Sequence, residues 1–194
     1  DNTTIAFAHN GSLVGFEEMR SDIYHYISNK YKKYICGTTD SETMYALFLS
    51  QLKKDQDNIV ISDIFSALVD TLVILRKVRR KNNIAISSPL NFFISNGDFI
   101  VATRFVFDYG YYPSSEYTSP HMGYHSLWYT YGEEYGLYDG LYQMKASKKM
   151  KSIIISSEPL TEDSTTWIEV PEYSFIGATL HNQKIEIQSL DVMV

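Results

Sequence analysis

Apolar positions recur with a helical period through the first 80 residues and switch to short apolar runs bounded by turn residues after about residue 90. Thr4 to Ala8 reads as a short strand that stops at His9-Asn10-Gly11. Phe16, Met19, Ile23, Tyr26, Ile27 and Tyr34 then share one helical face, which predicts a helix from Phe16 to Tyr34 broken by Gly37. Thr39-Asp40-Ser41-Glu42 has the form of a capping box, with Thr39 as cap and Glu42 reaching back, ahead of the stripe Met44, Leu47, Phe48 and Leu52. Ile61, Ile64, Phe65, Leu68, Leu72 and Leu75 predict a largely covered helix that runs to Arg80. NFFIS, the turn Asn96-Gly97-Asp98 and FIVATRF then form a predicted hairpin, covered on both faces. SLWYTY, KSIIISSE, YSFIGATL and KIEIQSL are further strands, the last two joined at His181-Asn182-Gln183. One strand, three helices and a run of strands predict an α+β domain with helices packed on a mainly antiparallel sheet.

Composition narrows the function classes. With 194 residues, 44% of them apolar, the chain has enough material for one domain with an elaborated insertion. Its 17 Lys and Arg against 23 Asp and Glu give a net charge of −6, which lacks the basic field of a nucleic-acid binder. Apolar runs are broken by charges before membrane-spanning length, and no secretion signal opens the chain, so a cytoplasmic protein with no membrane partner is expected. The single cysteine, Cys36, forbids an internal disulfide and, by residue type, is expected to be buried and inert. Ten of the 16 tyrosines lie between Tyr109 and Tyr142, which predicts a long elaborated loop containing a strand.

Few residues present themselves for chemistry. There is no Gly-rich phosphate loop, no Cys-x-x-Cys and no Gly-x-Ser-x-Gly. His121 and His125 have helical metal-ligand spacing, but Pro120 and Gly123 oppose a helix there, so both read as loop histidines and neither a metal nor a cofactor is expected. The cations of RKVRRK at the end of the third helix complement its dipole. Taken alone, Asn10-Gly11 is a tight turn and Asp40 is a first-turn acid.

Together, FAHNGSLVGF, GTTDSE, NFFISNGDFIVATRF and ISSEPLTEDSTTWIEVP, in this order, resemble the class II glutamine amidotransferase family. Within that family the likeness is to the branch containing the amidotransferase-like subunit of the eukaryotic glutathione-degradation complex. It runs from about Ile5 to Ala178 and is weakest in an insertion at about residues 107–125.

The resemblance implies the four-layer αββα sandwich of N-terminal nucleophile hydrolases. It also implies hydrolysis of a γ-glutamyl amide, in glutamine or a glutathione-like peptide, by an N-terminal cysteine thiolate whose own amine acts as base. Asn10 and Gly11 match the family's two oxyanion donors, through a side-chain amide and a backbone N–H. Asp40 matches the carboxylate that binds the substrate α-ammonium. Ser157-Glu158-Pro159-Leu160 and Trp167 are expected as strand edge and packing. Since the 194 residues open at Asp1, they read as the later part of such a domain, without nucleophile or α-carboxylate arginine and inactive alone. A metallopeptidase-like protein is the implied partner, and a non-catalytic scaffold subunit with a Tyr-rich interface is the alternative.

Overall fold

The computed structural model of the chain describes residues 5–53, 59–110, 125–161, 163–179 and 181–190. Strand β1 (Ala6–Gly11) leads through Gly15, at φ +76°, into α1 (Phe16–Tyr24), a short α2 (Asn29–Lys32), α3 (Asp40–Gln51) and α4 (Ile61–Lys81). Nine short strands follow in the same order as the predicted ones, with additions. They are β2 (Ser88–Ser95), β3 (Phe99–Arg104), β4 (Val106–Phe107), β5 (Trp128–Gly132), β6 (Tyr135–Tyr138), β7 (Leu141–Met144), β8 (Ser152–Ser156), β9 (Ile168–Glu169) and β10 (Ser174–Thr179), before a last strand β11 (Lys184–Ser189).

The main sheet has six strands in the order β1-β2-β3-β10-β11, with β4 beside β2; a second has the order β8-β5-β9. β6 and β7 form a separate hairpin, and all pairings are antiparallel. The two faces of the main sheet have different partners because side chains alternate along each strand. Phe92, Ile94, Val101 and Phe175 pack with Met44, Leu68, Leu72 and Leu75 of the helices. Phe93, Ala102 and Ile176 meet Tyr129, Ile153 and Ile155 of the second sheet. Leu68, Leu72 and Leu75 are fully buried, and covering each contributes about 1.5–3 kcal/mol. Among the described residues the layers thus run helices, main sheet, second sheet, and no helix is long and apolar enough to cross a membrane.

Several expectations need correction. The helix expected over residues 16–34 is two, because the chain tightens at His25 to Ile27 into i to i−3 bonds and then extends at Ser28, φ −66° and ψ 148°. Ile27 nevertheless stays buried, so the apolar period survives the break. Thr39 does cap α3 by accepting from the Glu42 N–H. Glu42 reaches past the cap, however, and accepts from the N–H groups of Cys36 (2.8 Å) and Gly37 (2.7 Å). That clasp shapes a surface turn, and Cys36 is exposed rather than buried. Arg79, read as a last-turn cation, is wholly buried. Trp167 packs as expected, donating to Thr161 (3.1 Å), whereas Leu160 is 56% exposed.

Candidate functional site

Strand β1 does not stop at His9. It continues through Asn10 and Gly11, which lie opposite Asn91 and Leu90 of β2, so Asn10-Gly11 is a strand end and not a turn. Among the described residues β1 is also the outermost strand of its sheet. The Ser12 N–H donates to the Pro89 carbonyl at 3.1 Å, while the Leu90 N–H donates away from β1, to Phe105 (2.8 Å). Ser12 and Pro89 therefore form a hydrogen-bonded pair, and alternation makes Gly11 and Leu90 a non-hydrogen-bonded one. By that alternation the Gly11 N–H points away from β2.

Gly11 is required there by space as well as by direction. Its φ is +146°, and a Cβ would lie 2.7 Å from the Pro89 carbonyl carbon and 2.9 Å from His9 Nε2. Asn10, opposite Asn91, shares with Ala6 and Ala8 the sheet face turned away from the helices, and all three are exposed. Among the described residues its side-chain amide has no intramolecular partner, while the opposing Asn91 is buried and donates to Ser126 (3.0 Å). The strand end thus carries two adjacent N–H donors, one on an exposed side chain and one on the backbone directed away from β2.

Asp40, the first residue of α3, is fixed to the same place. Its Oδ2 accepts from the Leu13 N–H at 2.8 Å, and its Oδ1 accepts from the Ser41 N–H (2.6 Å) and hydroxyl (3.2 Å). A carboxylate offers about four acceptor positions, so one remains for a cation. The helix N-terminus also favours negative charge there.

His9 and Ser41, within the same two motifs, meet across the site. His9 Nδ1 lies 3.0 Å from Ser41 Oγ. Burial pushes the His9 pKa below its ordinary value, against the opposing influence of Asp40 and the Pro89 backbone, so the ring is neutral at pH 7. The Ser41 hydroxyl also donates to Asp40 Oδ1, so a chain of contacts from His9 through Ser41 to Asp40 links the strand to the helix. Nothing local in the sequence signals this contact between residues 32 positions apart.

The other candidates lie elsewhere. His125 has a pKa lowered by burial, and its carbonyl accepts from Arg104 (3.1 Å); His121 lies outside the described residues. No group of three or more His, Cys, Asp or Glu suited to a metal occurs among the described residues. The Tyr-rich insertion is described only at its ends, since residues 111–124 lie outside.

The family model for class II glutamine amidotransferases matches residues 2–109. The probable glutamine amidotransferase DUG3 of Saccharomyces cerevisiae is 26% identical across 94% of this chain and 51% of its own length. The chain therefore spans about half of that curated relative. A glutamine aminotransferase class-II domain protein from Silicibacter pomeroyi superposes with TM-score 0.64 at 22% identity, covering 96% of this chain and 67% of that one. Glutamine phosphoribosylpyrophosphate amidotransferase from B. subtilis superposes with TM-score 0.53 at 14% identity, covering 99% and 30%. These neighbours have the N-terminal nucleophile type of amidotransferase fold, and this chain shares it.

Proposed function

The chain belongs to the class II glutamine amidotransferases, and from that premise we propose that the full-length protein hydrolyses γ-glutamyl amides, in glutamine or a glutathione-like peptide. The single observation that carries this reading is the strand end at Asn10-Gly11, with two outward N–H donors and the Asp40 carboxylate tied to the loop three residues on. The attacking group is an N-terminal cysteine thiolate outside these 194 residues. Its sulfur bonds to the γ-carbonyl carbon and the carbonyl π-pair moves onto oxygen. Asn10 Nδ2–H and Gly11 N–H donate to that oxyanion. The intermediate collapses by breaking the C–N bond, the amine leaves with a proton, and water hydrolyses the γ-glutamyl thioester.

Asp40 accepts from the α-ammonium and selects amino-acid head groups. Asp40→Asn should lower kcat/KM by roughly 10–100-fold, mostly through KM, since a hydrogen bond to a charged group is worth about 1.5–3 kcal/mol. Steady-state assays of glutamate release from glutamine and from glutathione check this; an unchanged KM for both removes Asp40 from the head-group site.

The reading includes a protein partner of metallopeptidase-like kind, at the β6–β7 hairpin, where Leu137, Leu141 and Tyr142 are 60%, 66% and 58% exposed. Aromatic and apolar groups on one exposed hairpin suit an interface core. Leu141→Asp should weaken co-elution with that partner about tenfold or more. Co-elution equal to the parent protein's would place the interface elsewhere. The same hairpin also suits the scaffold reading, and hydrolysis of either substrate by the full-length protein decides against that one.

A further inference from the structure

Arg79 heads the largest fully buried side chains of the described residues, at 0% exposure. A cation in a last helical turn complements the dipole equally well from the surface, so its burial needs another explanation. Its Nη1 donates to Ser88 Oγ (2.9 Å) and the Val14 carbonyl (3.4 Å); its Nη2 donates to the Ile86 carbonyl and to Asp108 Oδ2 (3.0 Å). Arg76 holds the other Asp108 oxygen at 2.5 Å, and both guanidinium groups lie over the Phe107 ring. Burial lowers the Arg79 pKa from its usual value while Asp108 raises it, and an arginine remains charged in proteins regardless.

Two of the Arg79 partners, Ser88 and Val14, belong to the segments that flank Gly11. Ser88 Oγ, which Arg79 orients, also accepts from the Val14 N–H at 3.2 Å. The next residue, Pro89, accepts from Ser12, and its carbonyl is the group that a Cβ on Gly11 would strike. A path of hydrogen bonds therefore runs from Asp108 through Arg79 to Ser88 and Val14, in the two segments that meet at the Ser12–Pro89 bond beside Gly11. We infer that Arg79, oriented by Asp108, is a positioning residue that fixes the direction of the Gly11 N–H. Its catalytic consequence rests on the γ-glutamyl reading, whereas the geometric one does not.

Asp108→Asn is the cleanest test, because Asp108 sits at φ +50°, a conformation asparagine tolerates, and its carboxylate bonds Arg76 and Arg79. Arg79→Lys, which keeps the charge but loses the planar fork, is the second variant. In the full-length protein, amide hydrogen exchange at Ser12 and Val14 should quicken about tenfold in both, with Leu68 and Leu72 of α4 still protected. With glutamine, kcat should fall about tenfold while KM stays within about twofold. Unchanged exchange at Ser12 and Val14 overturns the inference. So does equal acceleration throughout α4, which marks a global fold role, and so does faster exchange with kcat unchanged. A parent protein that hydrolyses neither substrate defeats the γ-glutamyl reading instead, and the exchange data still judge the geometry.

Discussion

Asn10→Ala in the full-length protein lowers kcat for γ-glutamyl hydrolysis by about 10²–10³-fold, the cost of one oxyanion donor at roughly 2.7–4 kcal/mol of barrier. Its melting temperature should stay close to that of the parent, because the Asn10 side chain is exposed and has no partner among the described residues to lose. The contrast between the two readouts carries the argument. A buried asparagine such as Asn91, which bridges the main sheet to Ser126, would lose stability and activity together. Stopped or initial-rate assays beside thermal unfolding separate the cases; turnover within a few-fold of the parent excludes Asn10 as an oxyanion donor.

Gly11→Ala should be as damaging to turnover and worse for the fold. The new Cβ meets backbone, 2.7 Å from the Pro89 carbonyl carbon, and not the free end of a flexible side chain. Either β1 moves off β2 or residues 88–89 shift, and each change turns the Gly11 N–H. With φ at +146° the strain adds to the clash, so about 1–3 kcal/mol of stability is lost with at least 10²-fold in kcat. Gly97→Ala is the control: its φ is +95°, yet nothing lies within 4 Å of the added Cβ. Urea unfolding and the same rate assay compare them, and equal effects at Gly11 and Gly97 would mean that conformation alone, without the Pro89 contact, governs the site.

The sequence made α3, α4 and the strands of the main sheet legible because each carries a strong local period and a recognisable end. Thr39 caps α3, and Asn96 Oδ1 accepts from the Asp98 and Phe99 N–H groups to shape the β2–β3 turn. The α1–α2 break escaped the reading because a tightened turn keeps Ile23 and Ile27 on one buried side. The β6–β7 hairpin carried an Asp139-Gly140 turn signal, with φ +51° and +83°, hidden among the tyrosines.

At the site, residue types were readable and their partners were not. That HNG extends a strand depends on Asn91 and Leu90 lying opposite. That Arg79 is buried depends on Asp108, 29 positions away. Local pattern contains no trace of either distance, so only the assembled sheet turns Asn10, Gly11 and Asp40 into one arrangement.

The most direct test is intact-mass and peptide mapping of the full-length protein after exposure to an electrophilic glutamine analogue, with and without excess glutamine or glutathione. One adduct, on an N-terminal cysteine preceding Asp1 and suppressed by either γ-glutamyl compound, is the result expected of a γ-glutamyl hydrolase built around Asn10, Gly11 and Asp40. No adduct, or an adduct confined to the exposed Cys36 and indifferent to both competitors, would contradict it.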